Sequence, residues 1–112
     1  KHLNFTSFDV EHGLIKATGY VFEKVAYISD CNFIPDKSMK NLYGLEYLVV
    51  DCLRMKSHPS HYNLDSALKL INKTKPKKAI LTNLHVDLDY DNLSKILPPN
   101  IKVAYDGLRF NF

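Results

Sequence analysis

The sequence predicts an α/β fold, a mixed β-sheet carrying about three helices on one face. Three observations predict it. Short apolar runs that end in polar clusters recur along the chain, as buried strands do. In the later part these runs alternate with stretches whose apolar residues recur at helical spacing, which implies parallel pairing against helices. In the first third they follow one another across short turns, which implies hairpins. A length of 112 residues holds one domain at most, or part of a larger one.

Each element follows in order. In residues 3–10 Leu3, Phe5 and Ser7 alternate with polar residues, and Phe8 and Val10 follow, giving a strand with one irregularity. His12-Gly13 makes a turn. Residues 14–22 and 25–29 read as two strands joined at Glu23-Lys24. Val25, Ala26, Tyr27 and Ile28 are nearly all apolar, as in a strand buried on both faces. Pro35 precedes a short helical stretch, 36–42, closed by Gly44. Residues 47–50 form another apolar strand ending at Asp51. Asn63 can cap a helix whose apolar face is Leu64, Ala67, Leu68 and Ile71, and Pro76 stops it. Residues 78–81 are a strand running into Thr82, Asn83, Leu84 and His85. Asp89 or Asp91 starts a helix carrying Leu93, Ile96 and Leu97, broken by Pro98-Pro99. Residues 101–104 and 108–112 are final strands around Asp106-Gly107. One layer of helices leaves the second sheet face in need of a partner.

Composition narrows the function classes. Hydrophobic residues make up 46% and charged residues 24%, ordinary for a globular protein, with enough apolar material for a core. Net charge is +3, and the basic residues cluster only at Lys73, Lys75, Lys77 and Lys78. That cluster suits a solvated helix end, where cations offset the dipole. So modest a charge argues against extensive phosphate-backbone contact, and nucleic acid is not the expected partner. The two cysteines, Cys31 and Cys52, form no CxxC pair, which fits a reducing, cytoplasmic setting. No apolar run reaches membrane-span length and no signal peptide is present. The chain begins at Lys1 rather than Met, as a piece of a longer chain would.

The polar residues worth weighing follow strands. Asp30 ends one, Asp51 the next, and Asn83 and His85 a third, while His12 and His61 lie in loops that could reach the same crevice. Ligands of α/β sheets bind at the carboxyl ends of strands, and a carboxylate with imidazoles suits Zn, Mn or Fe. The bland alternative has Asp30 capping a turn and each histidine half-exposed. Asp51 reads as a turn cap rather than a site residue, Asp106-Gly107 as a hairpin turn, Cys31 as a small core residue and His58 as exposed. His2 carries no argument.

The stretch Gly19-Tyr20-Val21-Phe22, then Ala26-Tyr27-Ile28-Ser29-Asp30-Cys31, resembles the strand pair that delivers the metal-bridging aspartate in the metallo-β-lactamase superfamily. His12-Gly13 resembles that family's isolated metal histidine. Asp51-Cys52-Leu53-Arg54, His58-Pro59-Ser60-His61, residues 81–90 and Ala104-Tyr105-Asp106-Gly107 resemble the bacterial branch that includes the phosphoribosyl 1,2-cyclic phosphate phosphodiesterases. The match runs through nearly the whole chain, and the order of its motifs is that of the C-terminal half of the αββα sandwich.

The resemblance implies a dinuclear hydrolase with two divalent ions, Zn or Mn, acting on a small cyclic phosphate or nucleotide-like ester. Asp30 would bridge the ions, His12 would bind one and His85 the other. Attack would come from metal-bound hydroxide, with His61 assisting at the phosphate or leaving group. The family's last metal histidine usually follows the Thr directly, where this chain has Asn83. Asn83 and His85 are therefore rival occupants of that position, and His85 is the better ligand for Zn-type ions. The family's HxHxDH cluster is absent from these 112 residues, as is the N-terminal half of the fold. The expected partner is that missing half, and the fragment alone should be inactive. The competing expectation is a non-catalytic half-fold that binds a partner chain, or a second copy of itself, through the open sheet face.

Overall fold

The computed structural model describes residues 4–55, 61–85 and 90–112. His2, Leu3, His58 and Asp89 lie outside them. Six strands form one sheet in sequence order: β1 (Phe5–His12), β2 (Ile15–Phe22), β3 (Val25–Ile28), β4 (Tyr47–Asp51), β5 (Lys78–Thr82) and β6 (Ile101–Val103). The pairs β1–β2 and β2–β3 are antiparallel and the rest parallel. Short hairpins join the first three strands. Helices α1 (Asp36–Met39, continued by a 3₁₀ turn Lys40–Leu42), α2 (Leu64–Thr74) and α3 (Tyr90–Ile96) make the crossovers. This is the mixed sheet with three helices that the alternation predicts.

Register divides the sheet into two faces. On one lie Phe8, Val10, Ala26, Ile28, Leu48, Val50, Ala79, Leu81 and Val103, joined in the core by Ile34, Leu42, Leu64, Ala67, Leu70, Ile71 and Leu93 from the helical side. Asn63 caps α2, its Oδ1 accepting from Ser66 N at 2.9 Å, and Lys75 ends the helix in the left-handed region at φ 50°.

The other face carries Phe5, Phe22, Val25, Tyr47 and Lys78 in one cross-strand row, and Tyr20, Tyr27, Val49, Ile80 and Lys102 in the next. The last residues of the chain lie over this face. Phe110 stacks on Tyr47 with centroids 4.3 Å apart, and Phe112 meets Phe22 edge-on at 5.5 Å.

Several expectations change. Residues 108–112 are not a strand, because they cross the sheet face through aromatic contacts instead of lying beside β6. The turn after Tyr105 is real (Leu108 N donates to Tyr105 O at 3.0 Å) but no hairpin follows it. The first strand keeps regular pairing through His12, opposite Ile15, so Gly13-Leu14 form the turn and the alternation has no irregularity. Tyr27 is exposed, so β3 is buried fully on the helical face only. No helix among the described residues is long and apolar enough to cross a membrane.

Candidate functional site

Past their paired residues the ends of β3 and β4 part, and the segment leading into α2 fills the gap, while β4 and β5 stay paired through Asp51 and Thr82. Tyr62 N donates to Cys31 O at 2.7 Å and Leu53 N donates to Tyr62 O at 2.9 Å, so this segment lies between the ends of β3 and β4. That placement sets His61 against the strand ends. The β1–β2 hairpin delivers His12 from the other side. Asn32 N donates to Glu11 O, Glu11 N donates to Phe33 O, and Gly13 N donates to Asn32 Oδ1, which ties the hairpin tip to the loop after β3.

His12, Asp30 and His61 converge, each offering one ligand atom within 4.8 Å of the others. His12 Nε2 and His61 Nε2 are 3.1 Å apart, and Asp30 Oδ1 lies 4.0 Å from His61 Nδ1. Ser29 Oγ donates to Asp30 Oδ2 at 3.1 Å.

Beneath them sits Asp51, fully buried. Its Oδ2 accepts from His61 Nδ1 at 2.7 Å and from Cys31 N at 3.0 Å, and its Oδ1 accepts from Asn83 Nδ2 at 3.2 Å. Asn83 Nδ2 also donates to Ser29 O at 3.3 Å. Both partners are acceptors, which fixes the amide orientation and uses both its hydrogens. The 3.4 Å approach of that nitrogen to His61 Nδ1 is therefore a contact between two donors. Asn83 holds a positive φ of 63°, a conformation asparagine tolerates.

This network assigns protons. A carboxylate only accepts, so His61 carries its hydrogen on Nδ1 and turns the lone pair of Nε2 toward His12. A carboxylate behind an imidazole in this way fixes its tautomer and ring orientation. Burial pushes the Asp51 carboxyl above the usual carboxylate range, opposed by the hydrogen bonds from Cys31 N and His61. Burial, with Asp51 nearby, likewise raises the thiols of Cys31 and Cys52, the latter to about 12. Both cysteines are free and buried, which makes them packing residues rather than nucleophiles.

The donor set fits a divalent ion of the Zn or Mn kind: two imidazole nitrogens and a carboxylate oxygen. Around an ion with ligands at about 2.0–2.1 Å, neighbouring ligand atoms stand roughly 2.9–3.4 Å apart, and the two Nε2 atoms meet that spacing.

The structure thus brings together His12, Asp30 and His61 from the expected site residues. His85 stands apart: its backbone N donates to Leu53 O at 2.7 Å, and its ring is not in the converging group. Asn83, its rival for the last ligand place, enters the site as a hydrogen-bond donor. Asp51 corrects the expectation of a mere turn cap. It does hold the Cys31 backbone, but it also orients His61. Its position at the end of Leu48-Val49-Val50 marks a carboxylate that needs partners if buried, but not which partners it has. Ser29 offered no comparable signal.

Comparison with known proteins bears on the fold and the family. A family model described as the beta-lactamase superfamily domain matches residues 1–83. The crystal structure of a diphosphatase from the PhnP family superposes with a TM-score of 0.95 at 38% identity, covering 98% of this chain and 44% of that one. YhfI from Bacillus subtilis, a metallo-β-lactamase fold protein, superposes with a TM-score of 0.77 at 16% identity over 95% of this chain and 48% of its own. A protein named octanoyltransferase from Porphyromonas gingivalis (strain ATCC BAA-308 / W83) is 31% identical over 102 residues, 88% of this chain and 20% of that protein. The chain therefore spans about a fifth of the curated relative it matches and less than half of the matching structures.

Proposed function

The chain belongs to the beta-lactamase superfamily domain family, and on that premise we propose that it supplies part of the active site of a dinuclear metal-dependent phosphodiesterase. The substrate is a small phosphate ester, cyclic or nucleotide-like. His12 and Asp30 hold divalent metal, Zn or Mn, and His85 serves the second ion once the site is complete. A further half of the fold, bearing an HxHxDH cluster, supplies the remaining ligands and packs against the aromatic sheet face. The 44% coverage of the PhnP-family diphosphatase supports an incomplete site.

The observation that carries this reading is the chain Asp51–His61–His12, with contacts of 2.7 and 3.1 Å. Bound divalent ions supply Lewis acidity and activate water at neutral pH. The residues of this chain do the rest. Asp51 holds the Nδ1 hydrogen of His61 and stabilises its ring when positive, so that Nε2 can give a proton to the departing oxygen. Ser29 orients Asp30. Asn83 locks Asp51 and the end of β3 together.

A second role for His61 is favoured by the Nε2–Nε2 spacing, which suits a third ligand to the same ion. The His61→Ala variant separates the two. As proton donor, its loss leaves metal content intact and removes turnover; as ligand, its loss removes the metal.

The test of the main reading is hydrolysis of bis(p-nitrophenyl) phosphate after metal loading. These 112 residues alone should show only background rates. A longer protein containing them should turn over, and Asp30→Ala and His61→Ala should each remove that activity. A longer protein that is inert toward phosphate esters, or active with Asp30 replaced, contradicts the proposal.

The aromatic face supports the other reading, a half-fold that binds a partner or a second copy. Phe5 is 65% exposed there, and Tyr20 and Tyr27 are also exposed. Light scattering decides it: a concentration-dependent dimer abolished by Phe5→Lys would favour self-association over seating of a missing half.

A further inference from the structure

A cleft of about 470 Å³ opens at the amino ends of β5 and β6, at the opposite end of these strands from the converging His12, Asp30 and His61. One wall is the last part of α2 and the residues that leave it. The other is the connection from α3 into β6. Leu68, Ile71, Pro76, Pro98 and Ile101 give the cleft an apolar lining, in which Ile71 and Pro76 are buried and Leu68 and Ile101 half-buried. Asn72, Lys75 and Asn100 complete it as exposed polar residues. None of these residues belongs to the site at the carboxyl ends of the strands.

Backbone fixes both walls. Lys75 N donates to Ile71 O at 2.8 Å and closes α2, while Ile101 N donates to Pro98 O at 3.0 Å. Ala79 N donates to Asn100 O at 2.9 Å, which ties one wall to the other. Pro76 and Pro98 each have a φ locked by their ring. Walls set before a ligand arrives lower the ordering cost of binding, and the volume lies in the usual range of small-molecule sites.

Lys75 is not the residue the backbone would choose at its position. Its φ is 50° and its ψ 55°, the left-handed conformation for which glycine is the usual residue at a helix end. A longer side chain there is strained, and such strain points to a use for the side chain. Offsetting the helix dipole does not account for it, because Lys73 already stands in the last turn of α2. An ion pair does not account for it either. Lys69 lies 3.1 Å from Asp65 and Lys77 3.9 Å from Glu46, but among the described residues no carboxylate reaches Lys75. The lining of the cleft holds one cation and no acidic residue.

We propose that this cleft is a binding site for a small apolar carboxylate, with its hydrocarbon body against Ile71, Pro76 and Ile101 and its charged end at Lys75. Covering the apolar lining drives the association, and the ammonium decides which end of the molecule faces outward. One ammonium balances one negative charge, and no second cation lines the cleft to balance a dianionic phosphate. The side-chain amides of Asn72 and Asn100 supply N–H donors for the carboxylate oxygens. The site stands apart from the metal-ligand group and does not rest on the phosphate-ester reading.

The experiment titrates the ¹⁵N-labelled chain with hexanoate and with 1-hexanol, which share a carbon chain and differ in charge. Backbone amide shifts of Asn72, Lys75, Asn100 and Ile101 report occupancy. Hexanoate should bind roughly threefold to fivefold more tightly than 1-hexanol, as one exposed ion pair allows. Lys75→Gly suits the left-handed backbone and should fold at least as well as the parent. It should erase the preference while leaving 1-hexanol binding as it was, and Lys75→Arg should keep the preference. No shift at these amides, equal affinities for the two probes, or a preference that survives Lys75→Gly overturns the inference. Each of those results leaves the hydrolase reading untouched, since the cleft shares no residue with its site.

Discussion

Replacing Gly19 by alanine tests how the β1–β2 hairpin that carries His12 is packed. Gly19 pairs with Phe8 across the hairpin, and Phe8 is buried in the core. A Cβ built on Gly19 would lie 2.5 Å from both Cε2 and Cζ of that ring and 3.2 Å from Cδ2. Carbon atoms pack best at about 3.5–4.0 Å, so the ring would have to retreat by roughly 1 Å into a filled core. Such overpacking costs about 1–3 kcal/mol. Against it stands the gain from removing a strand glycine, about 0.5–1 kcal/mol. The net expectation is a loss of about 1–2 kcal/mol, read as a lower urea midpoint at unchanged m-value. Phe8→Leu removes the two nearest clashing atoms, so in that background Gly19→Ala should cost little or become stabilising. A double-mutant cycle should then show coupling of about 1–2 kcal/mol. Gly19→Ala as stable as the parent, or a cycle with no coupling, would refute the packing described.

Further outcomes follow from the site and its supports. Asp51→Asn keeps one oxygen for Cys31 N and His61 but turns its own amide nitrogen on the Asn83 donor, so it should be less stable than the parent yet more stable than Asp51→Ala, which strands the buried Cys31 N–H at about 1–3 kcal/mol; urea unfolding of the two compares them directly. Asn63→Ala removes the α2 cap and should cost about 1 kcal/mol, read in the same way. Stability should fall at alkaline pH. The folded thiols of Cys31 and Cys52 titrate above their ordinary value of 9.0, Cys52 at about 12. The unfolded chain therefore releases these protons first as pH passes 9. By pH 10 each thiol should have withdrawn on the order of 1 kcal/mol, and urea midpoints for a Cys31→Ala, Cys52→Ala double variant should lack that part of the decline.

Much of the fold was legible because strand and helix periods differ and the chain keeps them separate. Val25 to Ile28 and Leu48 to Val50 read as strands, and Asn63 and Pro76 bracket α2 correctly. The last residues misled because Leu108, Phe110 and Phe112 alternate like a strand. Alternation records which side chains are apolar and carries no information about whether the backbone finds a ladder partner. Of the site, His12, Asp30 and His61 were visible as polar residues near strand ends. The role of Asp51 was not, since it depends on the 61–64 segment slotting between β3 and β4, a contact between residues 10 positions apart in sequence that no local pattern encodes. Asn83 reads from the sequence as a rival ligand, and only its two acceptors, contributed by β4 and the end of β3, reveal it as a brace.

The proposed function requires that His12 and Asp30 form one metal locus in this chain. Metal content per chain after loading with Zn or Mn, followed by removal of excess, tests it most directly. About one tightly held ion is expected, lost in both His12→Ala and Asp30→Ala while each variant keeps its fold by circular dichroism. Metal retained at the parent level in both variants, or none held by the parent, contradicts it.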